Sequence, residues 1–121
     1  MGLGKVMVLG NDSGLTFSAI QFLKEEGFIV IATTVSTLLV DIIVFQPDVL
    51  VFDDNKKSLL TLTAAVKLVH ANAFASYIPL ILMSEDISLE KLAWDWNASA
   101  YIAKPYQLRD FSNTVKDVLS I

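Results

Sequence analysis

Three side chains of different chemistry stand where apolar runs of this sequence stop. Val49-Leu50-Val51-Phe52 leads into Asp53, Leu80-Ile81-Leu82-Met83 into Ser84, and Ala100-Tyr101-Ile102-Ala103 into Lys104-Pro105. A carboxylate is a competent nucleophile and can form an aspartyl phosphate. A phosphoryl group in transfer carries negative charge on its oxygens, which an ammonium and a hydroxyl are suited to stabilise. The trio therefore fits phosphoryl chemistry at Asp53, with Ser84 and Lys104 as its partners. Each residue alone has an ordinary structural explanation, since a strand-end Asp or Ser opens a turn and Lys-Pro reads as loop. Their shared position, each at the end of its own apolar run, favours the chemical reading.

The elements that must position them follow from the same pattern. Short unbroken apolar runs fit strands buried on both faces of a parallel sheet. Lys5 to Leu9, stopping at Gly10-Asn11-Asp12, is the first; Phe28 to Ala32 is the second, and the three runs above complete five. Between them, Leu15, Ala19, Phe22 and Leu23 recur at helical spacing, and Gly27 ends that helix. Ser36 or Thr37 caps a second helix to about Phe45, closed by Pro47. A third runs from Leu59 to about His70, and a fourth, capped by Ser88, turns Leu89, Leu92, Ala93 and Trp96 inward and ends at Asn97. The last, Gln107 to Ser120, packs Leu108, Phe111, Val115, Val118 and Leu119. Alternation of this kind predicts a parallel α/β sheet covered by helices on both faces and joined by right-handed crossovers. Ligands of such sheets bind beyond the carboxyl ends of the strands. One edge would then collect Asn11, Asp12, Asp53, Asp54, Asn55, Ser84, Glu85, Asp86 and Lys104.

Composition narrows the field. A chain of 121 residues fits one domain, residues 1–121, large enough for a core without staples. It has no cysteine, which excludes disulfides and thiolate metal sites. Asp and Glu outnumber Lys and Arg by 13 to 9, a balance unsuited to a nucleic-acid partner. The 54% hydrophobic content raises the question of a membrane. Asp41 is the only charge from Gly27 to Pro47, but Thr33, Thr34, Ser36 and Thr37 interrupt that stretch, and a span needs roughly 20 predominantly apolar residues. MGLGKVMVLG has too short an apolar core for a signal peptide, so a cytoplasmic protein is expected. His70, the one histidine, has no companion for a metal site and reads as structural or surface.

QPDVLVFDD, IPLILMS and NASAYIAKPY resemble segments of the receiver domain of two-component response regulators, the CheY-like family, and the likeness runs from Lys5 to Ile121. NASAYIAKPY, similar to the family's GADDYLTKPF-type segment, is the most specific, because aromatic, Lys and Pro hold fixed spacing. The resemblance places the phosphoacceptor on Asp53, the Thr/Ser position on Ser84, the lysine on Lys104 and the switch aromatic on Tyr101. It implies a CheY-like, flavodoxin-like (βα)5 three-layer sandwich with parallel strand order 2-1-3-4-5. It further implies Mg2+-assisted phosphoryl transfer from a histidine kinase or phosphotransfer protein. The surface of the fourth helix, fifth strand and fifth helix would then shift, with Ser84 drawn toward the phosphoryl group and Tyr101 turned inward.

The chain also departs from that family. Aligning VMVLGND on the family's ILVVDDD puts Gly10 and Asn11 where an acid pair helps to hold the metal, with Asp12 one place late. The Mg2+ set would be Asp53, Asp12, Asn11 and the backbone carbonyl of Asn55, and weaker than usual, because Mg2+ prefers anionic oxygen. Lys56 or Lys57 would partly replace the missing charge, or both are solvated loop residues. Asn55 and Asp86 match the positions that tune the lifetime of the phosphoryl group. The second helix, Leu38-Leu39-Val40-Asp41-Ile42-Ile43-Val44-Phe45, leaves almost no polar face. It predicts an exposed patch for a partner, a second copy or an output domain, against the plainer reading of scattered surface apolar residues. Trp94 is expected to face outward near Tyr101.

Three other readings compete. A pseudo-receiver would keep the fold as a protein-interaction module without phosphorylation, as the missing acid pair suggests. An aspartate-nucleophile phosphatase of the haloacid dehalogenase type needs D-x-D, but VFDDN offers Asn55 where the second Asp, the general acid, belongs, and an amide cannot protonate a leaving group. A flavodoxin-like cofactor binder needs a donor-rich phosphate loop, which Gly10-Asn11-Asp12-Ser13-Gly14 does not provide. The reading adopted is a phosphorylatable receiver acting in signal transduction, not an enzyme.

Overall fold

Two interleaved sets of apolar side chains build this molecule, one on each face of a single sheet. The computed structural model describes residues 2–10, 14–53, 59–85 and 88–120. Five strands, β1 (Lys5–Leu9), β2 (Ile29–Thr33), β3 (Val49–Asp53), β4 (Leu80–Ser84) and β5 (Ala100–Ala103), alternate with five helices, α1 (Gly14–Glu26), α2 (Leu38–Phe45), α3 (Leu59–Ala71), α4 (Leu89–Asp95) and α5 (Leu108–Val118). All strand pairs are parallel, in the order β2-β1-β3-β4-β5 that the resemblance implied. Successive strand residues point to opposite faces. Met7, Leu9, Leu50, Phe52, Leu80 and Leu82 therefore join one core with residues of α2, α3 and α4. Val6, Val8, Val49, Val51, Ile81 and Met83 join the other with residues of α1 and α5.

The second strand begins one residue later than expected. Gly27 has φ 110°, and its N–H donates to the Lys24 carbonyl while the Phe28 N–H donates to that of Leu23. This pair of bonds closes α1 and holds buried Phe28 in the turn. The α4 turn repeats the scheme: Asn97 has φ 54°, with Asn97 N–H donating to Trp94 and Ala98 N–H to Ala93. The end of α2 differs from expectation. Pro47 follows it, but the reversal is made by Gln46, at φ 55°, whose N–H donates to the Ile42 carbonyl.

The hydroxyl-rich stretch before α2 serves its one charge. Thr33 and Thr37 both donate to Asp41 Oδ2, at 2.7 and 2.8 Å, tying the end of β2 to the first turn of α2. Thr37 takes the N-cap position, with its side chain committed to Asp41 rather than to a capping bond. No helix among the described residues is long and apolar enough to cross a membrane. Leu38 and Ile42 fill the core, whereas Val40, Ile43 and Val44 face outward, Val44 at 79% exposure. Exposed Phe74 joins Ile42, Ile43, Gln46, Pro47 and Ile78 around an apolar hollow of about 440 Å³. The expected patch is present, and His70 lies exposed on α3.

The α1 turn is testable by one substitution. Side chains rarely adopt the φ of Gly27, so Gly27→Ala is expected to lower unfolding stability by about 1–2 kcal/mol. Urea denaturation should show a lower midpoint at an unchanged slope.

Candidate functional site

β3 is the central strand, and residues Val49 to Phe52 are inaccessible to solvent. Alternation carries Asp53 to the same face as Val49 and Val51, and it is only 6% exposed. A buried carboxylate is costly unless it is paired. Lys104 Nζ supplies the pairing, forming an ion pair with Asp53 Oδ1. The lysine side chain is 9% exposed, so the contact is shielded from water on both sides.

The sheet explains how residues 51 positions apart in sequence meet. β3, β4 and β5 are consecutive neighbours, with Asp53 opposite Met83 and Ser84 opposite Ala103. Two strand spacings separate the chains by roughly 10 Å, a gap that the lysine stem and the Asp53 side chain close together. The Lys104 N–H donates to the Ser84 carbonyl at 2.9 Å, extending the pairing one residue past the end of β5. A cis Lys104–Pro105 bond follows. Ser84, 1% exposed, thus lies between the other two strand ends and fixes the lysine backbone. The three residues singled out by spacing converge on one edge.

Tyr101 lies elsewhere. It is 45% exposed at the middle of β5 and lines, with Lys91, Ala93, Trp94 and Ser99, a hollow of about 700 Å³ between α4 and β5. Trp94 is 86% exposed beside it, outward as expected.

Tyr106 is the residue that sequence reasoning missed. Its ring packs edge-on against Phe111, with centroids 5.7 Å apart. Its hydroxyl oxygen is buried and has no hydrogen-bond partner among the described residues. Burial, and then the negative charge of Asp53, push the phenol pKa up to about 12, so it stays protonated at neutral pH. The available signal was one atom: the GADDYLTKPF-type segment ends in Phe where this chain has Tyr106.

The metal set is only partly in view. Asn11, Asp12, Asp54, Asn55, Lys56, Lys57 and Asp86 lie outside the described residues. Gly10 follows β1 and contributes no side-chain oxygen. Among the described residues no group of three or more His, Asp or Glu side chains is placed to hold a metal. Asp53 is the described member of the expected Mg2+ set, and its charge is shared with Lys104.

Comparison with protein-family models and with curated protein sequences finds no match. Solved structures do match. The Vibrio cholerae chemotaxis protein CheY4 superposes with a TM-score of 0.83 at 19% identity, over 97% of this chain and 99% of that one. A response regulator from Desulfuromonas acetoxidans gives 0.80 at 21% identity, over 96% of each chain. NtrX from Brucella abortus gives 0.83 at 16% identity, with 99% of this chain matching 27% of NtrX. With the strand order, the two-sided core and the convergence of Asp53, Ser84 and Lys104 at one sheet edge, these likenesses identify the fold as the CheY-like fold of response-regulator receiver domains.

Proposed function

We propose that this chain is a two-component receiver domain that accepts a phosphoryl group on Asp53 from a histidine kinase or phosphotransfer protein. The observation that carries the reading is the buried Asp53–Lys104 ion pair at the carboxyl edge of a CheY-like sheet. One carboxylate oxygen of Asp53 attacks phosphorus, and the bond from phosphorus to the donor nitrogen breaks, leaving the donor imidazole to take a proton. Lys104 then offers its ammonium to a phosphoryl oxygen instead of the carboxylate, so its charge stays neutralised throughout. Ser84 supplies a hydroxyl donor from the adjacent strand end. Tyr101, half-exposed beside Trp94, is positioned to report the change to a partner by turning inward.

Mg2+, when bound, would supply positive charge to the phosphoryl oxygens, held by Asp53 with Asp12, Asn11 and the Asn55 backbone carbonyl. This donor set is poor in charge, since Gly10 gives no ligand and Asp53 already faces Lys104. The role is that of a cytoplasmic switch rather than an enzyme. Its apolar surfaces, the α2 patch and the α4-β5-α5 face, are the candidate contacts for an output domain or a second copy. The absence of a side-chain oxygen at Gly10 favours a second reading, a pseudo-receiver that binds partners without phosphorylation.

Acetyl phosphate or beryllofluoride, added with and without Mg2+ and followed by amide NMR, separates the two. Shifts at Ser84, Tyr101 and Lys104 that vanish in Asp53→Asn are the expected result; no response at millimolar Mg2+ would establish the pseudo-receiver. Mg2+ alone should saturate the site only at millimolar concentrations or above. Lys104→Met leaves the Asp53 carboxylate buried without its cation, and denaturation should show a stability loss of about 3 kcal/mol.

A further inference from the structure

Of the eight residues of α2, only Leu38 and Ile42 are fully taken up by the core. Val40, Ile43 and Val44 stand in water, 63%, 58% and 79% exposed, and Phe74 is 82% exposed. Ile43 and Phe74 line the same apolar hollow of about 440 Å³, and Val40, one turn before Ile43 and Val44, extends the face along the helix. A helix apolar on every side is normally covered on more than one. Phe74 is not on a loose loop. The Asn72 side-chain oxygen accepts from the N–H groups of Phe74 and Ala75, at 2.9 and 3.0 Å, and the Asn72 carbonyl accepts from that of Ser76. Ala75 is buried. This turn holds the Phe74 ring outward in a fixed place beside the hollow, so little ordering is needed for it to enter a contact.

The four side chains leave on the order of 500 Å² of apolar surface in water, as large as the biggest patch of a typical monomer. Two such patches face to face remove about 1,000 Å², the size at which a specific interface begins. The face also joins a projecting ring to an adjoining hollow. A two-fold contact needs that combination, because one patch must supply both the knob and the hole. Charge does not oppose the contact. Each chain carries a net charge of -4, but the four side chains and the described residues around the hollow are uncharged. Asp41, the acid of α2, accepts from Thr33 and Thr37. The last carbonyl of the helix, that of Phe45, accepts from Lys5 Nζ. We infer that the α2–Phe74 face is a dimer interface covered by a second copy of this chain, with Phe74 of each copy seated in the hollow of the other. The interface uses neither Tyr101 nor Trp94, and it does not rest on phosphorylation of Asp53.

The test is analytical ultracentrifugation of the full chain over a range of concentrations, beside Val40→Glu, Phe74→Ser and Asp53→Asn. The parent and Asp53→Asn should dimerise alike, with a Kd on the order of 10–100 µM, as suits an interface at the lower limit of size. Val40→Glu and Phe74→Ser should each raise that Kd about tenfold or more. Both side chains are exposed, so the unfolding midpoints in dilute solution should match that of the parent; the two variants lie on different elements, and either decides should the other unfold. Added salt should strengthen the dimer, because it screens the repulsion between like-charged copies. A parent that stays monomeric throughout overturns the inference, including the case in which it binds phosphatidylcholine vesicles or another protein through Val40 instead. A dimer that survives both substitutions, or that salt loosens, lies on a different face and also overturns it. A dimer that forms only with beryllofluoride and is lost in Asp53→Asn overturns it too, while leaving Asp53 as acceptor.

Discussion

A carboxylate buried at the end of a central strand must be neutralised, and most of the organisation of this molecule serves that requirement. Asp53 is placed by β3, whose four preceding residues are wholly buried. Its partner, Lys104, comes from two strands away and is held by its own N–H on the Ser84 carbonyl. Neither strand alone makes a site. The parallel sheet brings both carboxyl ends to one edge, and only then can a lysine stem bridge the gap. Its buried groups are one acid, Asp53, one cation, Lys104, and the Ser84 hydroxyl, with exposed Glu85 just beyond them.

The two faces of the sheet divide the labour. One side packs β-branched strand residues and Met83 against α1 and α5 and carries Asp53 and the Tyr106 ring. The other packs Met, Leu and Phe residues against α2, α3 and α4 and leads outward to Tyr101 and Trp94. Asp53 on β3 therefore lies two strands away from β5, whose Tyr101 lines a surface hollow together with Trp94.

The α2 segment illustrates how local composition can mislead and then be explained. Its apolar run looks like a candidate for burial in lipid. The tertiary structure instead buries Leu38 and Ile42, spends the neighbouring threonines on Asp41, and leaves Val40, Ile43 and Val44 in water beside the hollow that Phe74 helps to line. A surface of that kind is more apolar than folding alone requires.

Local chemistry was enough to determine the order of the elements, the five apolar runs and the residues at which they stop. It also identified Gly27 and Asn97 as helix ends, and both take positive φ there, a conformation that glycine and asparagine tolerate. Gln46 was not legible, since nothing in a glutamine advertises a positive φ; the path from α2 to β3 imposes it. Phe28 reads as strand because it is apolar, and only the bond from its N–H to the Leu23 carbonyl shows that it closes a helix. The edge carrying Asp53, Ser84 and Lys104 could be named from strand ends, yet the ion pair itself required the strand order, which is a long-range property. The Tyr106 hydroxyl is the extreme case. The sequence determined that an oxygen is present there, but whether that oxygen is wet, paired or stranded depends on every neighbour packed around it, and the tertiary structure alone decides that.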